Sequence, residues 1–255
     1  FENEKQILKI KFKNIQYIIR LKLIGRVQIK NILMAILAAN KSNISFKKII
    51  NVIFKLKPVE GRLEKIGKIK NKSKVILDYA HTPAALESAL SNLKEQFPSN
   101  KINLVFGCGG NRDFKKRPIM GKIADKYSYK IYLTDDNPRS ERPSNIRKEI
   151  KKGIKVNEVI EIPSRKKAIQ KAIKNLNTGD ILLVAGKGHE KIQDYGSKKL
   201  FFSDKNEILK SINLKNRSLS KDLKLNIIKE NSNSKISKKL LIKDISINSK
   251  NIKKH

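Results

Sequence analysis

Between residues 75 and 185 the chain alternates short, unbroken apolar runs with longer stretches in which apolar residues recur at helical spacing. Val75-Ile76-Leu77, residues 102–106, 130–133 and 158–162, and Ile181-Leu182-Leu183-Val184 read as strands buried on both faces. After the first run, Thr82 is placed to cap a helix with Pro83 in its first turn. Leu86, Leu90, Leu93 and Phe97 form its apolar stripe, which stops at Pro98. Pro118 is read as opening the next helix, and residues 143–152 form another that ends at Gly153. Ser164 caps a helix carrying Ala168, Ile169, Ala172 and Ile173. Strands of this kind separated by helices predict an α/β fold, a Rossmann-like, mostly parallel sheet with helices on both faces, over residues 75–212.

The flanks have other rhythms. Runs at 7–12 and 17–23, with Lys13-Asn14 between them, predict a hairpin. Residues 30–40 predict a helix with Ile32, Ala35, Ile36 and Ala39 on one face, and residues 45–56 a second, short one. The pattern breaks at residues 57–62, which marks a boundary near residue 60. Residues 213–255 are rich in Ser, Asn and Lys and hold neither Gly nor aromatics. They read as a linker followed by the start of another element at residues 240–246. The expected organisation is therefore three parts: 1–60, 61–212 and 213–255.

Composition changes this picture little. Lys and Arg number 58 against 23 Asp and Glu, a formal charge of +35. Such a charge suits a nucleic acid or an anionic surface. The lysines are spread evenly among many Ile and Asn residues, however, a mixture that an AT-rich coding bias produces. Aromatics make up 6% of the chain, and no basic-aromatic platform for stacking bases stands out. Neither a nucleic acid nor a membrane is expected as a partner. The single cysteine, Cys108, excludes an internal disulfide, and with three histidines the chain shows no metal-site spacing. No apolar run is long enough to span a membrane, no signal-peptide pattern opens the chain, and a cytoplasmic protein is expected. Because the first residue is Phe1, the chain is expected to be a fragment.

The chemistry gathers at strand ends. Four strands run into unusual polar loops: Asp78-Tyr79-Ala80-His81-Thr82-Pro83, Gly107-Cys108-Gly109-Gly110-Asn111-Arg112-Asp113, Thr134-Asp135-Asp136-Asn137-Pro138-Arg139, and Ala185-Gly186-Lys187-Gly188-His189-Glu190. In a parallel sheet these loops share one edge, where ligands bind. Each has a plain structural reading. Asp78 and His81 would brace a helix N-terminus, the glycines would serve a tight turn, and Arg139 would be a solvated arginine. Recurrence at four strand ends favours a ligand site instead. No Walker A spacing occurs, and Lys187, beside His189 and Glu190, points to a polar pocket.

Together and in this order, the four motifs resemble the carboxyl-terminal domain of the Mur ligases, over roughly residues 21–212. The Asp-Asn-Pro-Arg form is similar to that of the branch using meso-diaminopimelate. The resemblance implies an ATP-dependent ligase that adds meso-diaminopimelate to UDP-MurNAc-L-Ala-D-Glu in peptidoglycan precursor synthesis, through an acyl phosphate. It implies that Arg112, Asp136, Asn137, Pro138, Arg139, Gly186 and Glu190 bind the amino acid. The arginines would clamp its distal carboxylate, and Glu190 with the Gly186 carbonyl would take its distal ammonium. Lysine, lacking the distal carboxylate, would leave Arg139 underused. The resemblance also implies that Asn31, Arg62, Asp78 and His81 face ATP. Where the family carries a further asparagine this chain has Gln28, which is left out of the site.

ATP and Mg²⁺ are the implied cofactors. The family's phosphate loop and magnesium ligands belong to a central domain of which residues 1–60 would be the remnant. No metal ligand is therefore expected here, and the chain alone is expected to be inactive. Residues 245–252 resemble the opening of the next Mur ligase of the pathway, as in a fused pair. The alternatives are a lysine-adding or folylpolyglutamate synthetase-like ligase, or a basic nucleic-acid-binding module. The last would need its lysines on one face and steeply salt-dependent binding.

Overall fold

A computed structural model describes residues 6–53 and 55–221. The chain forms two compact units, residues 1–212 and 213–255. Of the second, residues 213–221 are described and are helical, where a linker was expected. The tail resemblance at 245–252 lies outside the described residues.

The first unit opens with the expected hairpin, β1 (Gln6–Phe12) and β2 (Ile15–Leu21), in antiparallel register. Its turn residues Lys13 and Asn14 both adopt positive φ, 45° and 63°, the geometry that two-residue hairpin turns require. Helices α1 (Arg26–Lys41) and α2 (Phe46–Ile53) pack on the hairpin around Ile19, Leu21, Ile32, Ile36, Phe46, Ile49, Ile50 and Ile53. Helix α1 starts four residues earlier than its apolar spacing suggested, and Ala35 is exposed, not part of the buried face. Gly25, at φ 88°, leads into α1, and its N–H donates to Gln96 Oε1 at 3.0 Å. Arg26 N donates to Asn92 Oδ1 at 2.6 Å. These bonds tie the start of α1 to the helix over Pro83–Gln96.

Six strands make the main sheet: β3 (Glu64–Ile66), β4 (Lys74–Asp78), β5 (Ile102–Phe106), β6 (Lys130–Leu133), β7 (Glu158–Glu161) and β8 (Ile181–Ala185). Their spatial order is β3-β4-β8-β5-β6-β7. Only β3, which sequence pattern did not reveal, is antiparallel, so the sheet is mostly parallel as expected. Helices α3 (Pro83–Gln96), α4 (Lys116–Tyr127) and α5 (Pro143–Lys151) cover one face around Leu86, Leu90, Leu93, Met120, Ile146 and Ile150. Burying each such side chain contributes about 2 kcal/mol. Helix α4 begins at Lys116, two residues before Pro118.

Helix α6 (Arg165–Lys174) packs against β5, β6 and β8, with Ala168, Ile169, Ala172 and Ile173 all fully buried. Thr82 and Ser164 cap α3 and α6 as read, accepting from Ala85 N and Lys167 N. A second small hairpin, β9 (Ile192–Asp194) with β10 (Lys199–Phe201), follows β8, and residues 204–221 form helix α7. No helix among the described residues is long and apolar enough to cross a membrane.

The strand order positions the site. From β4 the chain steps over to β5, runs outward through β6 and β7, and returns to insert β8 between β4 and β5. The loop after β8 is therefore flanked by the loops after β4 and β5, at a point where the strand order reverses. Ligands of open α/β sheets bind at such points.

Candidate functional site

A cavity of about 530 Å³ opens at this carboxyl edge. All four polar loops contribute to its wall, which includes His81, Arg112, Asp136, Asn137, Arg139, Gly186 and Glu190.

The loop after β6 is held from three sides. Arg139 sits at φ 53°, and its N–H donates to Asp194 O at 3.0 Å. Its Nη1 donates to Gly110 O at 2.7 Å, which anchors the guanidinium over the glycine loop. Gly110 is required there, since a Cβ would stand 1.9 Å from Pro138 O. Asn137 Oδ1 accepts from Asp194 N at 3.0 Å, and Gln193 Nε2 donates to Asp136 O at 2.9 Å. The β9 strand thus braces the turn. Sequence reasoning missed it, although Gly196 between two short β-rich runs is a weak hairpin signal.

Glu190 is the most connected acid of the cavity. Oε1 accepts from Tyr79 Oη at 3.2 Å, and Oε2 accepts from Asn137 Nδ2 at 3.0 Å and Lys187 Nζ at 2.9 Å. Burial pushes its carboxyl upward, but these donors outweigh burial and hold it below the ordinary range. Asp136 is the opposite case. It is 8% exposed, and its Oδ2 has no hydrogen-bond partner and lies 3.7 Å from Arg165 Nη1. Burial drives its carboxyl up, against Arg165 and Lys187. Arg112 and Arg139 at the same cavity give a mixed surface, cationic and anionic groups side by side.

A second cavity, about 410 Å³, is lined by Gln28 and Asn31 of α1, by Val59, Arg62 and Leu63, and by Asp78 with α3 residues. Arg62 lies over the Tyr79 ring at 4.8 Å. Asp78 accepts from Leu63 N at 2.7 Å and from Ala80 N at 2.8 Å, so each carboxylate oxygen is committed to backbone. Burial raises its carboxyl while those amides and Arg62 lower it. Asp78 thus ties the loop around residue 62 to the end of β4.

The structure therefore divides the sequence-predicted residues. Asn31, Arg62 and Asp78 share the smaller cavity, and Gln28, which sequence reasoning set aside, joins them. His81 does not; it lines the larger cavity, with Nδ1 2.9 Å from Tyr79 O. Pro138 lines neither cavity, since its carbonyl backs onto Gly110. Tyr79 and Lys187, both within the quoted motifs, were not assigned roles from sequence, and both contact Glu190. Among the described residues no cluster of His, Cys, Asp and Glu could hold a metal ion.

Comparison with known proteins bears on this site. The family described as "Mur ligase, glutamate ligase domain" matches residues 61–188. UDP-N-acetylmuramoyl-L-alanyl-D-glutamate--2,6-diaminopimelate ligase of Rickettsia felis is 44% identical over 207 residues, covering 81% of this chain and 38% of the relative. The protein of the same name from Wigglesworthia glossinidia brevipalpis is 49% identical over 188 residues, covering 73% and 38%. A solved structure of a ligase with that name superposes with a TM-score of 0.64 at 32% identity, covering 82% of this chain and 42% of that one. The chain thus spans less than half the length of each of these three relatives.

Proposed function

The chain belongs to the Mur ligase family, and from that premise we propose that it supplies the amino-acid site of an ATP-dependent ligase adding meso-diaminopimelate to UDP-MurNAc-L-Ala-D-Glu. The reaction belongs to peptidoglycan precursor synthesis in the cytoplasm. The observation that carries this reading is the convergence of Arg112, Arg139, Asp136 and Glu190 on one cavity. A diamino dicarboxylic acid has a carboxylate and an ammonium at each end, and such a mixed surface complements one end. In this reading Arg112 and Arg139 hold the distal carboxylate. Glu190, Asp136 and the Gly186 carbonyl hold the distal ammonium. L-lysine offers no distal carboxylate, so binding it would leave the Arg112 and Arg139 guanidiniums without that partner, a difference of about 1–3 kcal/mol.

The smaller cavity fits a nucleotide by its donor set, since Gln28 and Asn31 carry amides and Arg62 a guanidinium. Bound there, ATP would supply the phosphoryl group that activates the acceptor carboxylate. The described residues gather no group of three or more His, Cys, Asp or Glu that could hold a magnesium ion. Residues 1–60 would form the end of the ATP-binding domain, residues 61–212 the amino-acid-binding domain, and residues 213–255 a following segment.

Calorimetry of meso-diaminopimelate against L-lysine, with Arg139→Ala as control, tests the reading. Selective binding of meso-diaminopimelate that Arg139→Ala removes is the expected result. Equal binding of both amino acids, or selectivity untouched by the substitution, would overturn it.

A further inference from the structure

We propose that Lys187 is a positioning residue of the amino-acid site, its ammonium setting from behind the orientation of the Asn137 amide and the Glu190 carboxylate. The role rests on the amino-acid site proposed above. The Lys187 side chain is 0% exposed and is not among the residues lining the cavity. Gly186 and Gly188, at φ 114° and 53°, make the turn that carries it inward.

An ammonium has three hydrogens. Three acceptors surround this one: Asn137 Oδ1 at 2.9 Å, Glu190 Oε2 at 2.9 Å and Ile192 O at 2.6 Å. Asn137 Oδ1 also accepts from Asp194 N. Flipping the amide would point its NH₂ at two donors, so Nδ2 is confined to the side of Glu190. One of its hydrogens goes to Glu190, and the other remains to meet a ligand.

Lys187 also offsets the Glu190 charge. The other groups facing Glu190 are Tyr79 from the loop after β4, Asp136 and Asn137 from the loop after β6, and Arg165 from α6. Arg165 is already bound to Asp204, which leaves Lys187 as the cation in direct contact. A guanidinium presents a planar fork and cannot reproduce three acceptors arranged about one nitrogen.

The test uses the full 255-residue chain. Carboxyl-carbon NMR follows the Glu190 titration, amide NMR follows the Asn137 side chain, and calorimetry follows meso-diaminopimelate. Lys187→Met is expected to raise the Glu190 midpoint by about one pH unit or more and to shift the Asn137 amide signals. Affinity should fall about tenfold or more at neutral pH, because the Asn137 amide and the Glu190 carboxylate lose their orientation. Lys187→Arg should keep the Glu190 midpoint yet still shift the Asn137 amide and weaken binding.

If Glu190 and Asn137 are unmoved in Lys187→Met, the proposal fails. Should that variant not fold, an unchanged amide and affinity in Lys187→Arg overturns it equally. A wild-type chain that binds no diaminopimelate defeats the amino-acid site, while the two NMR readouts still decide whether Lys187 orders Asn137 and Glu190.

Discussion

The Tyr79 hydroxyl donates to Glu190 Oε1 at 3.2 Å while the face of the same ring carries the Arg62 guanidinium at 4.8 Å. One side chain of the larger cavity thus links that cavity's acid, Glu190, to Arg62, a cation lining the smaller. Tyr79→Phe keeps the ring under Arg62 and removes only the bond to Glu190. Affinity for the amino acid is expected to fall by about 1 kcal/mol, or roughly fivefold, with nucleotide affinity unchanged. Tyr79→Ala should weaken both. Parallel titrations of the two ligands check this.

Arg165 and Asp204 form a fully buried pair with two bonds of 2.7 Å, and Arg165 also donates to Ala185 O at 2.8 Å. The pair holds α6 and α7 against the end of β8. Asp204→Ala strands the guanidinium in the interior, and a loss of about 3–5 kcal/mol is expected in urea denaturation.

Gly110→Ala places a methyl group against the Pro138 carbonyl. Backbone cannot yield there without moving the turn that anchors Arg139. A cost of about 1–3 kcal/mol in stability and a larger proportional loss of amino-acid affinity are expected from denaturation and calorimetry together.

Asp136 and Glu190 should respond to pH in opposite senses. The depressed Glu190 carboxyl contributes stability that is present above its unfolded value, about 4.3, and is lost as pH falls through its lower folded value. Its ammonium-binding role is therefore expected to hold from neutral pH down through the ordinary carboxylate range. Asp136, raised by burial, is disfavoured as an ion, so its penalty grows as pH rises through its folded value. Asp136→Asn is expected to leave stability within about 1 kcal/mol of wild type at neutral pH while weakening the amino-acid complex. Denaturation and binding measured across pH would separate the two acids.

Much of the sheet was legible from local pattern. Residues 102–106 and 130–133 are strands over those bounds, and the stripe Leu86, Leu90, Leu93 and Phe97 is buried as its spacing requires. Local chemistry alone makes such segments recognisable, because a strand buried on both faces needs apolar side chains throughout. Strand β3 has one buried residue, Ile66, and the three residues of β10 are all exposed, so neither leaves a pattern to read.

By itself, then, the sequence determined the strands that carry apolar runs, the capped helices and the four polar loops at strand ends, together with the family they mark. The tertiary structure alone decided how those loops meet. Inserting β8 between β4 and β5 seats Gly186 and Glu190 between loops more than 70 residues earlier in the chain. The tertiary structure also places Asp78 and His81 in different cavities, commits Asp78 to backbone amides, sets the Pro138 carbonyl against Gly110 and buries Lys187. Parallel pairing joins strands through distant crossovers, and neither strand order nor the direction of a loop side chain leaves a trace in the residues beside it.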